Sequence, residues 1–206
     1  MTAAEVAAVV DVSRETLERL AVHHRLLVQW NPRINLVSRA SLPHAWRRHF
    51  ADSAQLWRHR PSTATTWLDL GSGAGFPGLV IAALAAEAAP DLHVRLVESD
   101  LRKAAFLRAV IHAAALPATV LDTRIESLPS QAADVLSARA LAPLDALLGH
   151  AEKHRRVAGI GLFPKGETVH NEVAEARRNW RFDPVIHPSL TDSRAAIVEI
   201  GALHRA

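Results

Sequence analysis

The fold of this chain is decided by residues 66–78, which read TWLDLGSGAGFPG. The first five residues form an apolar run of strand length, and four glycines then lead into the helix-length run Leu79–Ala88. Glycines at such a point let the backbone turn tightly and approach a ligand closely, and a helix N-terminus favours negative charge. The stretch therefore predicts a strand, a ligand-binding loop and a helix.

One interpretation of this loop is a dinucleotide site. Gly73, Gly75 and Gly78 satisfy the spacing G-x-G-x-x-G, and Glu98 follows at the end of the next predicted strand. That acid stands about 20 residues beyond the loop, as a ribose-binding residue in such a site should. A nicotinamide-dependent oxidoreductase is therefore one functional hypothesis.

A second interpretation starts from the acid inside the first strand. Asp69 with Gly71, Gly73 and Gly75 gives D-x-G-x-G-x-G, the first motif of class I S-adenosylmethionine methyltransferases. Here Glu98 would accept hydrogen bonds from both ribose hydroxyls. An acid that points at the loop has no role in a pyrophosphate site but suits a ligand with an ammonium group. The motif therefore favours the methyltransferase, although a glycine motif alone is weak.

Strand-length and helix-length runs alternate after Pro61, which predicts a mostly parallel sheet covered on both faces. The last two strands, near Asp183–His187 and Ala195–Ile200, have no helix between them and predict an antiparallel edge hairpin. The other predicted strands are Thr66–Leu70, Val94–Glu98, Thr119–Leu121, Val135–Ala138 and Ile160–Phe163. The other predicted helices are Arg102–Leu116, Leu144–Arg156 and Thr168–Trp180.

Residues 1–60 read as a helical segment packed on the main domain, 61–206. The first long helix begins at Ser13 and is expected to end at Asn31, because the residue before a proline avoids helical geometry. A second helix is expected from Pro43 to Trp57.

Composition excludes several classes of protein. The chain has 206 residues, of which 49% are hydrophobic and 22% charged, as in globular domains. It has no cysteine, which rules out disulfides, thiolate zinc sites and thiol nucleophiles. The twelve histidines show no metal-ligand spacing, so no metal is expected. The N-terminus lacks the features of a signal peptide and no apolar run could span a membrane, so we expect a soluble, cytoplasmic protein.

Positive charge is concentrated near the N-terminus. From Arg25 to Arg60 there are seven arginines and one acid, Asp52. Such a stretch indicates contact with a polyanion, or else a solvated surface in an arginine-rich chain. Charge alone leaves both interpretations open, and a non-catalytic RNA-binding module is a further hypothesis.

Short motifs are spread along nearly the whole chain. They are Trp30-Asn31, Asn35-Leu36, Ser38, His49-Phe50-Ala51-Asp52-Ser53, Asp69–Gly78, Lys103, Phe106-Leu107-Arg108, Ser137-Ala138-Arg139-Ala140 and Lys165-Gly166. Together they resemble the motifs of one family, RsmG (GidB), the guanine-N7 methyltransferases of small-subunit ribosomal RNA. The second-strand acid is commonly Asp in that family, where this chain has Glu98.

The resemblance implies a class I S-adenosylmethionine-dependent methyltransferase (Rossmann-like) fold with a seven-stranded sheet. It implies methylation of N7 of a guanine in the 530-loop region of 16S rRNA, either naked or within the small ribosomal subunit. The cofactor would be S-adenosylmethionine. The residues expected to bind it, from the motif and the resemblance together, are Gly71, Gly73, Gly75, Phe76, Glu98, Ile125, Glu126 and Arg139.

The sequence names no catalytic acid or base. Guanine N7 keeps an in-plane lone pair at neutral pH, so alignment and exclusion of water should suffice. Arg139 and Lys165 are expected to position the substrate, and His49 and Asp52, three residues apart, are read as positioning or structural residues. The expected phosphate contacts are Arg33, Arg39, Arg47, Arg48 and Lys165.

Overall fold

The computed structural model describes residues 4–206, so the first three residues of the predicted N-terminal segment lie outside the described residues. Its centre is a seven-stranded sheet. The strands are β1 Thr66–Leu70, β2 His93–Val97, β3 Ala118–Leu121, β4 Ala133–Ala138, β5 Arg155–Lys165, β6 Trp180–Pro188 and β7 Ala196–Arg205. Their order is β3-β2-β1-β4-β5-β7-β6, and β7 runs antiparallel to both of its neighbours. The predicted mostly parallel sheet with an antiparallel edge hairpin is confirmed.

The helices cover both faces of this sheet. The α-helices are α1 Ala4–Ala7, α2 Arg14–Ile34, α3 Asp52–Ala54, α4 Gly78–Ala88, α5 Leu101–Ala114, α6 Leu144–His154 and α7 Val169–Ala176. A short 3-10 turn, Ile125–Ser127, follows β3. No helix within the described part of the chain is both long and apolar enough to cross a membrane.

Helix α2 begins as expected but ends later. Ser13 accepts a hydrogen bond from the backbone N–H of Thr16, a standard N-cap. The prediction that the helix ends at Asn31 is wrong, because the helix continues through Pro32 to Ile34. A proline in the last turn removes only one helical hydrogen bond. The buried Asn31 side chain fixes the exit of the chain by accepting the N–H of Val37 at 2.8 Å.

Residues 42–59, called here the broken helix, replace the single helix predicted from Pro43 to Trp57. They comprise a 3-10 turn, a π-helical turn over Trp46–Ala51, the short α3 and a second 3-10 turn, Gln55–His59. The π-turn buries three successive side chains, His49, Phe50 and Ala51. That is a wider arc than an ordinary amphipathic helix buries.

The hydrophobic core has two parts, one on each side of the sheet. Successive residues of β1 alternate between them, since Trp67 belongs to one part and Leu68 to the other. The first part joins Leu20 of α2 and Phe50 of the broken helix to Phe106 of α5. The division of the chain into a helical segment, 1–60, and a main domain, 61–206, stays a prediction. Residues of both parts belong to this one core.

Candidate cofactor and substrate site

The glycine loop, residues 71–77, joins the carboxyl end of β1 to α4. Gly71, Gly73 and Gly75 all have positive φ, at 63°, 53° and 86°. A Cβ on Gly75 would collide with Leu79, whereas the nearest atom to a Cβ on Gly73 would be a backbone oxygen 3.8 Å away. The backbone at Gly73 therefore faces open space that a ligand can approach.

Asp69 supports this loop from behind. Its carboxylate accepts hydrogen bonds from the Ser137 hydroxyl at 2.7 Å and from the Gly78 N–H at 3.2 Å. The side chain is fully buried, and that burial raises its pKa to about 6. The expectation that Asp69 faces an ammonium group is wrong, because the loop and the strand enclose its carboxylate. Asp69 is a positioning residue for the loop.

Glu98 follows β2 and lies against the open side of the loop. One carboxylate oxygen accepts the N–H of Gly73 at 2.9 Å, and the other accepts the N–H of Asp100 at 2.8 Å. The residue is 8% exposed. Each oxygen keeps a further lone pair for a donor such as a ribose hydroxyl. Gly73 and Glu98, both predicted to bind the cofactor, are thus in direct contact with each other.

These features fit S-adenosylmethionine. The open backbone face at Gly73 leaves room for a ligand, and Glu98 offers carboxylate oxygens to hydroxyl groups. Ile125 and Glu126 follow β3, which is the neighbour of β2 in the sheet. They therefore lie at the same edge of the sheet as Glu98, with Ile125 half-buried and Glu126 exposed.

Arg139, directly after β4, joins the glycine loop to the broken helix. Its guanidinium lies 5.4 Å from the centre of the Phe76 ring and donates to Nδ1 of His49 at 3.1 Å. It also donates to the carbonyl of Arg48 at 3.4 Å and lies 3.6 Å from the Asp52 carboxylate. Its Nε is buried and has no partner among the described residues. The Arg139 guanidinium is thus held by the broken helix, while its Nε–H still lacks a hydrogen-bond acceptor within the described residues.

His49 and Asp52 share Arg139 as a partner and are not bonded as a dyad. The His49 Nδ1 accepts from Arg139, so its Nε2 carries the proton and donates to the Ser41 hydroxyl at 3.0 Å. Burial, together with the charges of Arg139 and Arg48, lowers the pKa of His49 to about 3. The neutral ring has no free lone pair to remove a proton from a substrate.

A large cavity of about 940 Å³ opens beside Arg139 at the carboxyl ends of β4 and β5. The broken helix and the turn between β6 and β7 both contribute residues to its wall. Five cations and three acids line it, so its net charge is positive. The cations are Arg47, Arg48, Arg139, Lys165 and Arg194, and the acids are Asp52, Glu172 and Asp192.

Comparison with known proteins assigns the chain to a family. The family model GidB, described as rRNA small subunit methyltransferase G, matches residues 16–199. The chain belongs to this family. It is 50% identical over 195 residues to the Ribosomal RNA small subunit methyltransferase G of Ruegeria sp. (strain TM1040), with 95% of each chain covered. It is 49% identical over 199 residues to the protein of that name from Cereibacter sphaeroides, with 97% of this chain and 96% of that one covered.

A solved structure shows the same fold. A TehB-like SAM-dependent methyltransferase from Corynebacterium glutamicum superimposes with a TM-score of 0.58 at 12% identity, covering 89% of this chain and 99% of that one. The predicted methyltransferase fold is confirmed by this structure, and the predicted enzyme class is confirmed by membership of the family. The oxidoreductase and the non-catalytic RNA-binding module are not supported.

Lys165 of this GidB-family enzyme lies in the cavity wall with its charge already paired. Its ammonium donates to Glu172 at 2.7 Å and to the carbonyl of Ala142 at 2.8 Å, and the side chain is 9% exposed. Lys165 therefore holds the loop after β4 in place. This arrangement favours its predicted positioning role over its predicted phosphate role.

The other predicted phosphate contacts divide into two groups. Arg47 and Arg48 are exposed and line the cavity, and Arg47 also donates to the carbonyl of Thr191 at 3.0 Å. Arg33 and Arg39 are exposed but lie outside the cavity wall. Arg194, in the β6–β7 turn, also lines the cavity, and no motif of the sequence indicated it.

His23 on α2 is a site residue that sequence reasoning missed. Its Nε2 donates to the carbonyl of Ala74 in the glycine loop at 2.8 Å, and its ring stacks on Phe76. Burial lowers the pKa of His23 to about 4, so the ring is neutral at pH 7. The available signal was its helical spacing from the apolar Leu20 and Leu27.

Proposed function

We propose that this protein transfers the methyl group of S-adenosylmethionine to N7 of a guanine in the 530-loop region of 16S rRNA. The observation that carries the proposal is the position of Arg139. It contacts Phe76 of the glycine loop and also lines the arginine-rich cavity. One side chain therefore joins the cofactor side of the site to the substrate side.

On the cofactor side, the bound S-adenosylmethionine supplies an electrophilic methyl group on its sulfonium. The Gly73 backbone approaches the cofactor, and Glu98 accepts from its ribose hydroxyls. The buried, unpartnered Nε–H of Arg139 is a donor for the carboxylate of its methionine part. Asp69 and His23 hold the loop that makes these contacts.

On the substrate side, the cavity receives a guanine displaced from its stack, as single-stranded loops of RNA allow. Arg48 and Arg194 are exposed cations at its wall and contact phosphates. Guanine N7 attacks through an existing lone pair, so the neutral and fully bonded His49 is not needed as a base. Catalysis consists of alignment and exclusion of water. We expect an enzyme that acts on this substrate to work in the cytoplasm.

The test is mass mapping of small-subunit rRNA from cells with and without this gene. We expect deletion to remove a single 7-methylguanine from 16S rRNA, and the intact gene to restore it. Arg139→Ala should fail to restore it, whereas Arg181→Ala, which removes an exposed arginine from the far edge strand β6, should restore it. An unchanged methylation map after deletion would refute the proposal. Purified enzyme supplied with naked rRNA or whole subunits then identifies the form of the substrate.

A further inference from the structure

Three potential metal ligands meet on the side of the edge hairpin that faces the broken helix. They are His59 at the end of the broken helix, His187 on β6 and Glu199 on β7. One donor atom from each lies within 4.8 Å of the other two. Nε2 of His187 is 2.8 Å from a Glu199 oxygen, and the two imidazole rings stack with centroids 4.0 Å apart.

The charges around this cluster favour a cation. All three residues are half-buried, and within the described part of the chain no lysine or arginine lies within ion-pair distance of Glu199. Its hydrogen-bond partner is the imidazole of His187, at 2.8 Å. Exposed Arg58, next to His59 in the chain, is a cation that works against a metal.

We propose that His59, His187 and Glu199 bind one divalent transition-metal ion of the Zn²⁺ type, with water as a further ligand. Two imidazole nitrogens and a carboxylate are an established donor set for zinc. Bond lengths of about 2.0–2.1 Å place tetrahedral ligand atoms about 3.3 Å apart. The donor atoms here range from 2.8 Å to at most 4.8 Å apart, so side-chain shifts of about an ångström complete the site.

The position of the cluster assigns the metal a structural role. The broken helix is already tied to the β6–β7 turn by Gln55, which accepts from Leu190 N–H at 2.9 Å. Asp52 adds a second tie by accepting from Thr191 at 2.9 Å. These two contacts belong to walls of the large cavity, whereas the His59 cluster lies outside its lining. A metal that joins the same two segments would hold the cavity walls together without contacting the substrate.

The experiment is titration of metal-free, full-length protein with Zn²⁺ alone, followed by calorimetry and by thermal unfolding. We expect one equivalent to bind and Tm to rise with Zn²⁺ concentration, because a ligand that binds only the folded state stabilises it. His59→Ala and His187→Ala should abolish both effects. His204→Ala is the matched control, since it removes an exposed histidine of the same hairpin and should leave both effects unchanged.

Failure of the wild type to bind Zn²⁺, or binding that persists in both His59→Ala and His187→Ala, would overturn the proposal. Circular dichroism verifies that each variant is folded. If a variant does not fold, Co²⁺ added to the wild type gives an answer without substitution. An intense visible absorption band of tetrahedral Co²⁺, abolished by added Zn²⁺, supports the site. A spectrum of hexaaqua Co²⁺ alone overturns it.

Discussion

Replacing His23 with glutamine should make the protein less sensitive to acid while keeping the anchor of the glycine loop. In the wild type, His23 is fully buried and donates its Nε2 proton to the carbonyl of Ala74. A glutamine side chain places an N–H₂ donor at a similar distance from the backbone but does not titrate. His23→Gln therefore removes the titration and leaves the hydrogen bond.

The size of the effect follows from the pKa of His23, which burial lowers from 6.5 to about 4 in the folded protein. Above pH 6.5 the ring is neutral in both the folded and the unfolded state, and its contribution to stability is fully present. As the pH falls from 6.5 through 4, the unfolded chain takes up a proton first, so the free energy of unfolding decreases. At about 1.4 kcal/mol per pKa unit, the loss is about 2 kcal/mol at pH 5 and approaches about 3 kcal/mol below pH 4.

The measurement is urea denaturation of the wild type and His23→Gln at pH 7 and pH 5. The pH profile of the wild type alone is not sufficient, because the raised pKa of Asp69 acts in the opposite direction and stabilises the fold as the pH falls. The difference between the two proteins cancels that contribution. His204→Gln, at an exposed position, is the control and should show no pH-dependent difference. A difference between wild type and His23→Gln that is the same at both pH values refutes the argument.

Three further predictions concern ligand binding. Gly73→Asn adds a side chain on the open face of the loop, and asparagine tolerates the positive φ found there. Calorimetry should therefore show the affinity for S-adenosylmethionine reduced about tenfold or more. An unchanged affinity would show that this face of the loop does not bind the cofactor. Glu98→Gln should weaken the same binding by about 1–3 kcal/mol, the value of a hydrogen bond to a charged group, and wild-type affinity would contradict the ribose assignment. Arg48→Glu should lower affinity for small-subunit rRNA in filter binding and flatten its salt dependence by about one unit of log–log slope, with S-adenosylmethionine affinity unchanged. Equal RNA binding by this variant and the wild type at two salt concentrations would exclude Arg48 from the RNA surface.

The sheet and the cofactor loop could be predicted because their signals are local. A run of closely spaced glycines and an apolar run of strand length can both be recognised within a few neighbouring residues. Contact between Gly73 and Glu98 was predictable because the carboxyl ends of neighbouring parallel strands meet at one edge of a sheet. The sequence was therefore sufficient to predict the glycine loop and the position of Glu98 beside it.

The contacts around Arg139 and Lys165 could not be predicted from spacing. Sequence motifs marked both residues, but their partners His49 and Glu172 lie on other elements, and packing decides which charges meet. For the same reason Asp69 was assigned to the ligand although its carboxylate is enclosed. The end of α2 was misplaced because the local rule for proline omits the compensating bond from Asn31 to Val37.

The order of strands also determines when each half of the site can form during synthesis. Strand β7 is the last strand along the chain, yet it lies inside the sheet, between β5 and β6. The glycine loop and Glu98 can take their places once β1, β2 and β4 have been made, because Ser137 of β4 donates to the Asp69 carboxylate that supports the loop. The wall of the cavity that contains Arg194 must wait for the whole chain. Shortening the chain before residue 196 thus removes β7, which connects β6 and the Arg194 turn to the sheet, and leaves complete the strands that carry the glycine loop and Glu98.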